Sequence, residues 1–121
     1  MRLKSLNQVN NTGLSGKCVA QINYVFATHD KVEQVLLYGS RALGTYKAGS
    51  DIDLTLLGNE LSTRDLLSIL VELDDLLLPY KFDVSIYSQL THKELINHIE
   101  KAGKPFYQKN QLNYKANNHT A

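Results

Sequence analysis

Two carboxylates one residue apart, Asp51 and Asp53, stand at the head of an apolar run that continues to Leu57. Alternate side chains of a strand share a face, so both acids point one way while Ile52 points into the core. Like charges so placed repel each other unless a cation lies between them. Upstream, another apolar run, Val35 to Tyr38, stops at Gly39-Ser40, with ten residues intervening before Asp51. Gly39 lets a backbone approach phosphate closely, and Ser40 adds a hydroxyl and a helix-start N–H, a small anion-binding nest. Asp, Gly and Ser also mark ordinary turns, but a turn requires no second acid on the same face. The pattern points to a metal site beside an anion-binding loop.

The elements that must position these residues follow from periodicity. Ser15 caps a helix in which Val19, Ile22, Val25 and Phe26 recur at helical spacing, ending near His29-Asp30. Gln34 to Tyr38 reads as a buried strand, Ser40 to Leu43 as at most one helical turn, and Gly44 to Ser50 as loop. Ile52 to Leu57 is a second strand, closed by Gly58-Asn59. Ser62 followed by Asp65 resembles a helix start, and the apolar stripe from Leu66 to Leu77 runs until Pro79. Lys81 to Tyr87 alternates, with Phe82, Val84 and Ile86 on one face and Asp83, Ser85 and Tyr87 on the other. Thr91 with Glu94 reads as a capping box for a last helix that buries Leu95, Ile96 and Ile99 and is closed by Gly103 and Pro105.

This order indicates an α/β fold, a small mixed sheet flanked by helices. The first two strands can lie antiparallel, and a right-handed crossover makes the second and third parallel. The end of strand one and the starts of strands two and three then meet at one edge, bringing Asp83 to Gly39-Ser40, Asp51 and Asp53. Three carboxylates suit Mg²⁺, which prefers oxygen ligands and keeps part of its shell for water and phosphate. Two such ions can steady the attacking and leaving oxygens of phosphoryl transfer. Arg41 reads either as a neutraliser of phosphate charge or as a surface residue without a role.

The 121 residues suffice for one domain, and 43% hydrophobic with 21% charged residues is ordinary for a globular chain. Cys18 cannot form an internal disulfide, which fits a reducing compartment. No apolar run reaches bilayer length and no signal-peptide pattern opens the chain, so a cytoplasmic location is expected. All twelve acids lie between Asp30 and Glu100, whereas seven of the thirteen Lys and Arg flank that segment. Basic flanks of this kind are ordinarily solubilising, and no direct nucleic-acid binding is expected. Residues 1–15 read as a polar arm, 16–107 as the domain, and 108–121 as a polar, disordered tail.

Other readings of the acid pair fail on context. Asp51-x-Asp53-x-Thr55 looks like a haloacid-dehalogenase-type phosphatase motif, but that motif ends a strand, and here the apolar run follows the acids. An EF-hand loop needs Gly at its sixth position, where Leu56 stands. His29, His92, His98 and His119 show no ligand spacing, and His98, beside Ile99, reads as a helix-surface or packing residue.

Gly39-Ser40 followed after ten residues by Asp51-Ile52-Asp53 resembles the signature of the polymerase β-type nucleotidyltransferase superfamily. Tyr-Gly-Ser-Arg-Ala (38–42), Gly-Ser-Asp-Ile-Asp-Leu (49–54) and Leu-Pro-Tyr-Lys-Phe-Asp-Val-Ser (78–85) resemble the minimal nucleotidyltransferases (MNT), small prokaryotic proteins commonly paired with a HEPN-domain protein. The resemblance covers about Gly16 to Tyr107. It implies a polymerase β palm-like core, ATP as substrate and two Mg²⁺ ions. Asp51 and Asp53 would bind both metals, and Asp83 the one that activates the acceptor hydroxyl, whose proton it takes. Gly39, Ser40, Arg41 and Ser50 would contact the nucleotide. The implied partner is a HEPN toxin in a hetero-oligomer, adenylylated on a tyrosine and so neutralised. Little chain remains for recognising an acceptor, which places that task on the partner and speaks against a tRNA or small-molecule transferase. The alternative is a non-catalytic, nucleotide-binding or steric antitoxin subunit.

Overall fold

Ser15 opens the first helix by accepting the Cys18 N–H on its hydroxyl at 3.0 Å. In the structure, a computed structural model that describes residues 11–109, this helix, α1, spans Gly16–Ala27. Cys18, Val19, Ile22, Val25 and Phe26 recur on one side of it and are buried. It stops short of His29 because the Thr28 hydroxyl folds back to the Val25 carbonyl at 2.7 Å, a local bond that competes with helix continuation.

The sheet is built from β1 (Gln34–Tyr38), β2 (Ile52–Leu57) and β3 (Phe82–Ile86). A single helical turn, α2 (Ser40–Leu43), follows β1. Strands β1 and β2 are antiparallel, with Tyr38 opposite Asp53; β2 and β3 are parallel, with Asp53 beside Asp83. The parallel crossover is α3 (Thr63–Asp74). Its capping box is complete: the Ser62 hydroxyl accepts the Asp65 N–H at 3.3 Å, and the Asp65 carboxylate accepts the Ser62 N–H at 2.8 Å. The helix ends well before Pro79, in a turn that puts the exposed Leu77 at φ 56°.

A further strand, absent from the sequence-based order, completes the sheet. After α4 (Lys93–Ala102), the chain enters β4 (Lys104–Gln108), antiparallel to β1, in the order β3-β2-β1-β4. Gly103-Lys104-Pro105 reads as a terminator, but β4 is an edge strand, and an edge tolerates proline because one row of N–H groups has no ladder to join. A shift of register between Val35 and Leu36 accommodates it. The α4 cap also differs from expectation: His92, not Thr91, accepts the Leu95 N–H, through Nδ1 at 3.3 Å.

Strand alternation divides the sheet. Val35, Leu37, Ile52, Leu54, Leu56 and Ile86 face α1 and α3 in one continuous core that also takes in Ile69, Leu73 and Phe106. Each such side chain contributes about 1.5–3 kcal/mol of hydrophobic stabilisation before conformational entropy is set against it. Tyr38, Asp53, Thr55, Asp83 and Ser85 occupy the opposite face, where α4 lies across β1. There Ser85 donates its hydroxyl to Thr55 at 2.9 Å.

The expected boundaries need correction where they touch the described residues. Thr12, within the expected arm, is buried. Gln108 belongs to β4, and the Lys109 N–H donates to the Glu33 carbonyl at 3.0 Å, so the fold extends past Tyr107. Residues 1–10 and 110–121 lie outside the described residues.

Because Phe106, only 5% exposed, anchors the edge strand to the core, Phe106→Ala is expected to cost about 3–5 kcal/mol. Urea unfolding checks this. A loss below about 1 kcal/mol would show that β4 contributes little to the fold.

Candidate active site

The strand register sets three side chains in a row on the face of the sheet that carries α4: Tyr38, Asp53 and Asp83. Asp51 lies two residues before Asp53 and is exposed. Its charge acts on Asp53, so the three acids expected from the sequence lie at one end of the sheet. At the same end, β1 turns into α2 through Gly39, whose φ is 75°. A β-carbon on Gly39 would run into Asp53 Oδ2. Glycine is required twice here, for the left-handed backbone and for its close approach to the carboxylate.

The crowding has an electrostatic signature. Burial raises the Asp53 pKa to about 6, helped by the charges of Asp83 and then Asp51, and opposed by the Arg41 charge. The Tyr38 phenol is also pushed up, first by burial and then by the Asp83 charge, although a bond to the Ser85 side chain opposes the shift. Tyr38 was legible as the end of an apolar run and the first residue of the Tyr-Gly-Ser-Arg-Ala string. Its strand parity with Asp53 was the signal that places it in the site.

Arg41 departs from its expected place. It is 2% exposed, and its guanidinium donates from Nε and Nη2 to the Ser50 carbonyl at 3.2 and 3.0 Å and from Nη1 to the Thr12 carbonyl at 2.7 Å. The Tyr46 and Tyr80 rings lie 5.1 and 4.9 Å from its Cζ, close enough for cation–π attraction. Its three kinds of guanidinium nitrogen are thus engaged within the fold. The side chain ties the α2 turn to the residue before Asp51, and its burial corrects the reading of Arg41 as a surface residue without a role. Ser50 is similarly engaged, its hydroxyl accepting the Lys47 N–H at 2.8 Å. Gly39 and Ser40 remain beside the acids, with Ser40 opening α2. His98, read as a surface or packing residue, accepts the Gly39 N–H on Nε2 at 2.9 Å.

The donor set fits a hard divalent cation in kind: three carboxylates, with no thiolate, at the site end of β1, β2 and β3. Among the described residues, no three or more His, Cys, Asp or Glu side chains form a ready-made metal cage. Such an open carboxylate edge suits Mg²⁺, which typically takes one or two carboxylates and fills its remaining positions with water and substrate phosphate. No helix among the described residues is long and apolar enough to cross a membrane.

Residues 20–112 match the family model described as polymerase beta, nucleotidyltransferase. No curated protein matches the chain. Among solved structures, a mutant of the toxin–antitoxin pair MntA–HpeT superposes with a TM-score of 0.61 at 17% identity, over 77% of this chain and 75% of the other. A toxin–antitoxin structure with AMP-PNP gives 0.58 at 21% identity, over 75% of each chain. A candidate nucleotidyltransferase from Sulfolobus solfataricus gives 0.50 at 17% identity, over 88% of this chain and 86% of that one. These likenesses are likenesses of fold.

The raised Asp53 pKa yields a prediction about stability. A folded-state pKa of about 6 against about 4 in the unfolded chain means that the folded protein binds the extra proton between those values. Stability of the metal-free protein therefore falls as pH rises from about 4 to about 6. Solvent screening of a partly exposed carboxylate limits the loss to about 1 kcal/mol. Asp53→Asn removes it, so the variant should melt above wild type at pH 8 and the difference should shrink towards pH 4. Melting curves without divalent metal check this. A variant less stable than wild type at pH 8 would show that the Asp53 charge is already compensated within the fold.

Proposed function

The chain belongs to the polymerase beta-type nucleotidyltransferase family, and on that premise we propose that it transfers AMP from ATP to a hydroxyl, with a tyrosine of a HEPN-family toxin as acceptor. On this reading the protein is an antitoxin. The observation that carries the chemistry is the register that sets Asp53 beside Asp83 at one end of the sheet, with Gly39 packed against Asp53.

Asp51, Asp53 and Asp83 would hold Mg²⁺, which when bound supplies positive charge against the triphosphate and lowers the pKa of an acceptor hydroxyl. The residues of the chain account for positioning and for the proton. Asp83, exposed on β3, accepts the proton of the acceptor hydroxyl as general base. The acceptor oxygen forms its bond to the α-phosphorus while the bond from that phosphorus to pyrophosphate breaks. Ser40 and the backbone at the β1–α2 turn would contact the leaving phosphates. Arg41, buried beneath the loop, keeps Asp51 in place by holding the Ser50 carbonyl.

The choice of acceptor is supported by the neighbours of the fold. Two are toxin–antitoxin structures, one with AMP-PNP. The mutant MntA–HpeT structure carries two Asp-to-Glu changes two positions apart, the same spacing as Asp51 and Asp53. A tyrosine carrying AMP gains a phosphodiester charge and a bulky nucleoside, which can block an RNase site by the electrostatics that governs phosphorylation.

Catalytic neutralisation requires one encounter per target, whereas steric neutralisation requires continued occupancy. Incubating the toxin with a small fraction of this protein, ATP and Mg²⁺, then removing the protein, should leave the toxin inhibited and heavier by ~329 Da, one AMP unit. Asp51→Asn and Asp53→Asn should lower the rate at least about a hundredfold while remaining folded. Full recovery of the toxin with no mass change after wild-type treatment would leave the steric subunit as the better account.

A further inference from the structure

α4 crosses the site-bearing face of the sheet and turns His98 towards the end of β1. The imidazole meets Tyr38 edge-on, with ring centroids 6.0 Å apart and planes at 75°, and its Nε2 accepts the Gly39 N–H at 2.9 Å. With Nε2 as acceptor, the proton of the neutral ring sits on Nδ1. The bond joins residues 59 positions apart, so it is a product of the tertiary fold and not of local chain geometry.

Its placement matters because of what Gly39 touches. The Gly39 carbonyl accepts the Ala42 and Leu43 N–H groups at 3.1 and 3.0 Å. With His98 on its N–H, this glycine is bonded on both sides. Free glycine has more conformational freedom than any other residue, and here that freedom is removed where the Gly39 Cα packs directly against the Asp53 carboxylate. A link therefore runs from α4 through the Gly39 peptide to one of the acids at the centre of the site.

We propose that His98 is a positioning residue, which locks the Gly39–Ser40 turn against Asp53 by accepting the Gly39 N–H and so fixes the orientation in which that carboxylate meets a divalent cation. The inference rests on the metal-binding role proposed for Asp53. Loss of an outer partner of this kind typically costs 10–100-fold in metal affinity or activity, and about tenfold is expected here.

Three substitutions separate positioning from packing. H98L removes the acceptor and keeps most of the bulk. H98N, whose amide reaches only as far as Nδ1, is a second variant without an acceptor at the required reach. H98Q extends a carbonyl to where Nε2 stands. Amide exchange at Gly39, followed by NMR, should accelerate at least about tenfold in H98L and H98N, and Mn²⁺ affinity, measured with the metal alone, should fall by about tenfold. Both should return to within about threefold of wild type in H98Q. In the transfer assay, kcat should follow Mn²⁺ affinity while KM for ATP moves less than about threefold. The proposal is overturned if Mn²⁺ affinity is unchanged when Gly39 protection is lost, if H98Q restores protection but not affinity, or if the wild type binds no Mn²⁺. Wild-type protein that binds Mn²⁺ yet modifies no acceptor would count against the proposed function, and the His98 inference would still be decided by Mn²⁺ affinity and Gly39 exchange.

Discussion

Gathering three carboxylates at one end of a small sheet is a Coulombic cost that the rest of the fold must offset. Two unit charges about 4 Å apart interact by about 4 kcal/mol at the effective dielectric near a protein surface. Burial first, and then the charges of Asp83 and Asp51, raise the Asp53 pKa to about 6, so part of that rise reflects this cost. One charged group opposes it, the buried Arg41 behind the loop. It forms no ion pair with an acid of the site among the described residues. The repulsion is thus moderated without being cancelled, and the acids keep their capacity for an incoming cation. Full neutralisation by an internal salt bridge would have occupied the oxygens that the chemistry needs.

Arg41 shows how the fold meets the remaining demand, that of holding the loop still. A buried guanidinium normally pairs with a carboxylate. This one is instead solvated by the carbonyls of Ser50 and Thr12 and by the faces of Tyr46 and Tyr80. Its planar fork joins Ser50, at the end of the β1–β2 connection, to Thr12, ahead of α1, which the compact ammonium of lysine would not do. The positive charge stays inside the protein, where it favours the ionised form of Asp53.

Much of the site could be read from the sequence because strand parity is a local rule. A period of two put Asp51 and Asp53 on one face, and the crossover through α3 brought Asp83 to them. The contacts that were missed depend on tertiary structure. His98 carries no sequence mark linking it to Gly39, since the bond exists only after α4 has docked on β1. Arg41 sits in a family-like Gly-Ser-Arg string that invites a phosphate role, and nothing local announces that Tyr80, 39 positions later, will cover it. β4 was hidden by Pro105, whose ordinary meaning as a terminator is overridden at a sheet edge. The capping residue of α4 was missed by one position because Thr91 and His92 can both supply an acceptor, and helix boundaries are the least certain part of a sequence reading.

The central claim is that the end of the sheet carrying Asp51, Asp53 and Asp83 is where metal and nucleotide meet. Paramagnetic broadening tests it most directly: Mn²⁺ is added with AMP-PNP to isotopically labelled protein, and the amide signals are followed. The account predicts that the signals of Gly39, Ser40, Asp51, Ile52, Asp53 and Asp83 broaden first, while those of Gly58 and Lys109, at the other end of the strands, stay sharp. Broadening centred on that opposite end, or none at the acids, would contradict it.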